Sequence, residues 1–162
     1  MRIIGIDPGL RILGVGVVDY DGNGFKSVYS GVIKTKNSDS LSDKLAVLYK
    51  GIADSIKQFE PEVLSIEEVF YGKNARTALL MGHVRGVAML AGKHAGLEVH
   101  EYAARKVKSA VTGNGAADKE QVLYMVKRLL KLKEDPITLD ASDALGIAIC
   151  HGLNYKLAKL GL

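Results

Sequence analysis

Asp7, Glu67, Asp140 and Asp143 are the side chains whose type and spacing invite chemistry in this 162-residue chain. Asp7 closes the apolar run that begins at Arg2, and Glu67 lies near the end of a second apolar run, Val63 to Val69. Open α/β sheets gather their ligands at the carboxyl ends of such strands, so the two acids meet if the strands are neighbours. Alternation selects Glu67 over Glu68: Gly5 shares a face with Asp7 and Ser65 with Glu67, whereas Glu68 shares its face with Leu64 and Ile66 and reads as packed. Asp140 and Asp143 begin a helix three residues apart, so they leave one face a turn apart and extend the set. Taken alone, that pair has a plainer account as an N-cap and a first-turn residue favoured by the helix dipole.

Carboxylates brought together repel one another, and in a partly desolvated cleft each holds its proton unless a cation intervenes. Mg²⁺ suits such a site, being a hard ion that takes oxygen ligands and keeps positions open for phosphate and water. Two such ions about 3.5–4 Å apart would activate an attacking water and stabilise the leaving oxygen of a phosphodiester. The chemistry implied is hydrolysis of a nucleic-acid backbone.

The elements that must position these acids are legible in outline. Arg2 to Ile6 and Ile12 to Tyr20 read as strands joined by the Asp7-Pro8-Gly9 turn, and Gly14 and Gly16 interrupt the second. Asp21-Gly22-Asn23-Gly24 is hairpin chemistry leading into a third strand, Phe25 to Lys34. Leu41, Leu45, Leu48, Ile52, Ile56 and Phe59 recur at helical spacing, with Ser40 and Asp43 as the capping signal and Pro61 as the stop. Val63 to Val69 then follows a crossover helix and should lie parallel to an earlier strand. Asn74 to His94 reads as a helix, Leu97 to Tyr102 as a fifth strand, and Ala103 to Val111 as a short helix. Asp118 with Gln121 caps another helix, and the last begins after Pro136. The order implies an α/β fold, a mixed central sheet of about five strands flanked by helices.

Composition sets the bounds. Nearly half of the residues are hydrophobic, enough for one domain with a real core, expected over residues 1–155 with a short tail at 156–162. The lone Cys150 follows Ile147, Ala148 and Ile149 and reads as core, and His83, His94, His100 and His151 lack metal-ligand spacing. The strand-like start and the charges that break the apolar runs indicate a soluble cytoplasmic protein and no membrane segment. The charge of +4 is mild, as is the pI near 9.1. Its distribution suits a polyanionic partner better than its total does, with clusters at Lys73/Arg76, Arg105/Lys106/Lys108 and Lys119 to Lys133. On charge alone, ordinary solvated helix faces are the better account. Ala78, Gly82 and Gly86 repeat every four residues along the second helix, a costly choice at about 1 kcal/mol per glycine. Something must approach closely there, either another part of the chain or a second subunit.

Four segments together, Gly5-Ile6-Asp7-Pro8-Gly9, Ser65-Ile66-Glu67-Glu68-Val69-Phe70, Glu101-Tyr102-Ala103-Ala104-Arg105 and Asp140-Ala141-Ser142-Asp143-Ala144-Leu145, resemble the RuvC family of bacterial Holliday junction resolvases. The resemblance is collinear from Met1 to about Cys150. It implies an RNase H-like fold, a homodimer, and paired symmetric nicks in two strands of a four-way junction during recombination and repair. It also implies that Asp7, Glu67, Asp140 and Asp143 bind Mg²⁺, two ions per site with Mn²⁺ as a substitute, and that the RuvA–RuvB branch-migration complex is a partner. Phe70 would stack on or wedge between bases at the junction centre, with local packing of Phe70 and Tyr71 as the alternative. Lys108 and Lys119, on either side of Gly113-Asn114-Gly115, would face a phosphate track, with Lys73, Arg76 and Arg105 as further DNA contacts. Two other functions fit parts of the pattern. A non-catalytic junction-binding module would leave the acids idle, and an actin-like ATPase is suggested by Ile6-Asp7-Pro8-Gly9 but normally needs two such domains.

Overall fold

A computed structural model describes residues 1–68, 74–132, 136–159 and 161, and statements of absence below are made of these residues. The chain runs β1 (Arg2–Asp7), β2 (Ile12–Tyr20), β3 (Phe25–Lys34), α1 (Leu41–Phe59), β4 (Val63–Glu68), α2 (Ala75–His94), β5 (Glu98–Ala103), α3 (Ala104–Thr112), α4 (Lys119–Leu129) and α5 (Leu139–Lys159). The strands form one sheet in the order β3-β2-β1-β4-β5. β1 pairs antiparallel with β2 and parallel with β4, as the meander and the crossover helix require. In that register Gly5 lies beside Ser65, so Asp7 and Glu67 emerge from adjacent strand ends.

The two faces of the sheet bury different cores. Ile4, Ile6, Leu13, Val15, Val17, Leu64 and Ile66 pack with Leu48 and Ile52 of α1 and Val84 and Ala88 of α2. Ile3, Val18 and Val63 face α3, α4 and α5 through Val111, Val122, Val126, Leu145 and Ile149. The helix ends follow local chemistry. The Ser40 hydroxyl accepts the Asp43 N–H to open α1, and Glu60 takes the left-handed conformation at φ 48° just before Pro61. Gly96, at φ 78°, turns the chain after α2, and Leu97 N–H bonds back to the Gly92 carbonyl at 3.0 Å. That C-terminal cap occupies Leu97, so β5 starts at Glu98, one residue later than its apolar run suggests.

α5 starts after Pro136, as expected, but its cap is not the aspartate that the plainer account named. It begins at Leu139, and it is Thr138 whose hydroxyl accepts the Ala141 N–H at 3.3 Å. Asp140 is therefore a first-turn residue rather than the cap. At the other end the helix continues to Lys159. Cys150 is fully buried, and no helix is long and apolar enough to cross a membrane.

Candidate active site

Asp7 is delivered by the last residue of β1, on the face that carries Gly5 and looks toward α5. Glu67 leaves β4 on the same side, above Ser65, whose buried hydroxyl donates to the Ile4 carbonyl at 3.3 Å and ties the two parallel strands together. Asp140 and Asp143 come down from α5. Glu68, expected to point into packing, is exposed: Leu64 and Ile66 of its face are fully buried, but the strand has left the core by residue 68.

The four acids share one electrostatic environment. Burial first, then the negative charges of Asp143, Glu67 and Asp140, push the Asp7 carboxyl from its ordinary value up to about 8. Glu67 is raised by burial and by Asp143, against the pull of Lys119 and Lys108. Asp143 is also raised, again by burial first, although Lys119 opposes this with its charge and a hydrogen bond. Lys119 Nζ stands 3.4 Å from Asp143 Oδ2, and that neighbour raises the lysine in turn. No three of these side chains, as they stand, form a cage ready to grip a cation. The donor set is nevertheless all hard oxygen, concentrated and short of compensating charge, which fits a divalent cation such as Mg²⁺.

The expected binding residues separate into groups. Lys119 touches the acidic set directly, and Lys108 is near enough to lower both Glu67 and Asp143. Arg105 is exposed with its stem along the 113–115 loop, so that a Cβ on Gly115 would meet its Cγ at 2.7 Å. Arg76 is exposed in the first turn of α2. Phe70 and Lys73, with Tyr71, lie outside the described residues. The Glu101-Tyr102 segment anchors β5 to its surroundings: Glu101 forms an ion pair with Arg85 of α2, and the Tyr102 hydroxyl meets His151 Nδ1 of α5 at 2.9 Å.

Three positions escaped the reading of acids and bases. Thr138 caps α5, and Ser142, between the two aspartates, turns inward and is buried. Gly14 underlies the first turn of α5. A signal for Gly14 existed, because glycine inside a strand marks either a bulge or another backbone lying close by.

The family model described as crossover junction endodeoxyribonuclease RuvC matches residues 3–151. A protein of that name from Caldanaerobacter subterraneus is 47% identical over 162 residues, covering 99% of this chain and 98% of its own. Another from Tolumonas auensis is 52% identical over 149 residues, covering 92% and 85%. The structure described as T. thermophilus RuvC in complex with Holliday junction substrate superposes with a TM-score of 0.91 at 32% identity, covering 98% of this chain and 96% of that one. The mixed five-stranded sheet between helices is thus the RNase H-like arrangement that the motifs implied.

Proposed function

Because this chain belongs to the crossover junction endodeoxyribonuclease RuvC family, we propose that its acidic cleft cuts Holliday junctions with Asp7, Glu67, Asp140 and Asp143 as the catalytic, metal-binding set. The chain is a nuclease of the hydrolase class. The observation that carries the site assignment is the mutual repulsion of the four acids. A carboxyl held up to about 8 by burial and three like-charged neighbours is a poor structural element and a good ligand awaiting a cation. When bound, Mg²⁺ supplies charge compensation and Lewis acidity toward a phosphodiester; we propose two ions per site, with Mn²⁺ able to replace them. The protein's own contribution is placement. β1 and β4 fix Asp7 and Glu67 on adjacent rigid strand ends, and α5 brings Asp140 and Asp143 over them. Lys119 and Lys108 moderate the negative field so that a phosphate can enter.

Phosphate contacts from Lys108, Lys119, Arg76 and Arg105 would seat the backbone without reading sequence. Lys73 and Phe70 complete the DNA surface on the strength of the family resemblance, with Phe70 stacking on junction bases. A homodimer gives two acidic clefts for two strands. In support, Gly82 and Gly86 of α2 have nothing within 4 Å of an added Cβ, and Leu79 and Leu90 on the same helix are 69% and 48% exposed. Among the described residues, nothing supplies the close approach that the small residues imply. A cytoplasmic location beside the chromosome and cooperation with the RuvA–RuvB complex complete the reading.

The direct test incubates the protein with a mobile four-way junction or a linear duplex, in Mg²⁺ or in EDTA. Nicks confined to the junction and to the metal-containing reaction are the expected result. Equal cutting of duplex, or cutting in EDTA, refutes the assignment.

A further inference from the structure

The acids of α5 reach Asp7 because the first turns of that helix lie on bare backbone. Three glycines of β1 and β2 floor the crossing. A methyl group on Gly5 would overlap the Ala144 carbonyl oxygen and stand 2.8 Å from the Ala148 nitrogen, and one on Gly16 would stand 2.5 Å from the Leu145 nitrogen. On Gly14 it would overlap the Asp140 carbonyl oxygen, 2.7 Å from the Asp140 carbonyl carbon and 3.1 Å from Asp7 Cβ. None of the three adopts positive φ, so conformational freedom does not explain them. Glycine in a strand costs roughly 0.5–1 kcal/mol relative to alanine, and what it provides here is space.

Gly14 is the glycine at the chemical end of this floor. It pairs with Asp7 across β1 and β2, and it alone of the three touches the turn that carries Asp140. Thr138 holds the same turn from outside, through its bond with the Ala141 N–H. We infer that Gly14 is a positioning residue for cleavage: by offering no side chain it seats the first turn of α5 on β2, and with the Thr138 cap it presents Asp140 and Asp143 at the depth where they would hold metal together with Asp7. The inference rests on the reading of the four acids as the metal-binding set. Relieving the overlap of an alanine at 14 moves the turn by on the order of 1 Å, whereas metal–ligand distances tolerate about 0.2 Å.

The experiment titrates Mg²⁺ calorimetrically into the DNA-free protein and, in parallel, measures junction affinity in EDTA and the Mg²⁺ dependence of cleavage. Gly14→Ala should weaken Mg²⁺ binding about 10-fold or more and raise the half-saturating concentration for cleavage alike, while junction affinity in EDTA stays within about twofold. Thr138→Ala, milder and on the surface, should shift both in the same direction by about threefold. Gly92→Ala is the control for strain alone, since its Cβ meets Leu64 and Val99 side chains at 3.1 and 3.2 Å on the far face of the sheet. It should bind Mg²⁺ normally, whichever way crowding and the helix propensity gained by alanine balance in its stability. Wild-type Mg²⁺ affinity in folded Gly14→Ala overturns the inference, as does an equal shift in Gly92→Ala. If Gly14→Ala does not fold, Thr138→Ala decides in the same way. Asp7→Asn separates the two levels: undiminished Mg²⁺ binding there overturns the metal-set reading itself, whereas its loss together with normal binding in the position-14 or position-138 variant overturns only the positioning role.

Discussion

Lys119, the first residue of α4, places its ammonium 3.4 Å from the Asp143 carboxylate of α5, so a mostly exposed cation closes over a carboxylate that is only one-fifth exposed. Exposed pairs of this kind contribute about 0–1 kcal/mol to folding. The charge matters more at the site, where Lys119 opposes the burial of Asp143 and also offsets Asp7 and Glu67.

Lys119→Met is therefore expected to leave the unfolding midpoint within about 2–4 °C of wild type and to slow junction cleavage at saturating Mg²⁺ by about 10-fold or more. Thermal unfolding and single-turnover cleavage on the same preparations check both halves. An unchanged rate would return Lys119 to the solvated helix ends.

Asp7→Asn should abolish cleavage yet retain junction binding if Asp7 is a metal ligand as proposed, because it would remove that ligand and also relieve repulsion toward phosphate. It has a pH signature too. The folded-state pKa of Asp7 is raised to about 8, far above the unfolded value, so ionisation costs the native state stability that grows as pH rises from about 4 and saturates above about 8. The variant lacks that cost. In EDTA it should be more stable than wild type at pH 8, with the gain shrinking toward pH 4. Denaturant midpoints across that range measure it, and a pH-independent difference would remove Asp7 from the repelling cluster.

Bulk on the open stripe of α2 tests the dimer. An added Cβ at Gly82 or Gly86 meets no atom of the described residues within 4 Å and both positions are exposed, so the monomer fold should tolerate Gly82→Leu and Gly86→Leu apart from surface effects of a few tenths of a kcal/mol. A smaller species by sedimentation, with wild-type circular dichroism, is expected. On a supercoiled cruciform plasmid, such variants and mixed dimers of wild type with Asp7→Asn should yield nicked circles in place of linear DNA. Efficient linearisation by a mixed dimer would mean that one cleft makes both cuts.

His151 gives acid sensitivity of the opposite sign from the carboxylates of the cleft. Buried at 4% exposure and bonded through Nδ1 to the Tyr102 hydroxyl, it has its pKa pushed down to about 4, by burial first and then by His100. Between the unfolded value near 6.5 and about 4 the unfolded chain binds a proton that the native state refuses, so stability falls as pH drops through that window, by at most about 1.4 kcal/mol per unit. Asp7, Glu67 and Asp143 gain stability on acidification, so the comparison must be internal. His151→Gln, which keeps an acceptor for Tyr102, should lose less stability than wild type between pH 7 and pH 5. Identical losses would clear His151 of the effect.

The sequence by itself determined the strands, the two-sided sheet and the candidacy of Asp7 and Glu67, because alternation and strand-end position are local properties that survive in one dimension. It also carried the family resemblance, since motifs are strings. It left open whether Asp140 served as a cap. Only the fold decided that, by giving the cap to Thr138 and leaving both aspartates of α5 to turn their charge toward Asp7. The apparent packing of Glu68 failed for a related reason: alternation says which face a side chain takes, and only the sheet's edges say where the core stops. Gly14 is the clearest case. Along the chain it is a glycine that weakens a strand, and its meaning depends on the carbonyl of Asp140, 126 residues away in sequence, which lies against it only when α5 is laid across the sheet.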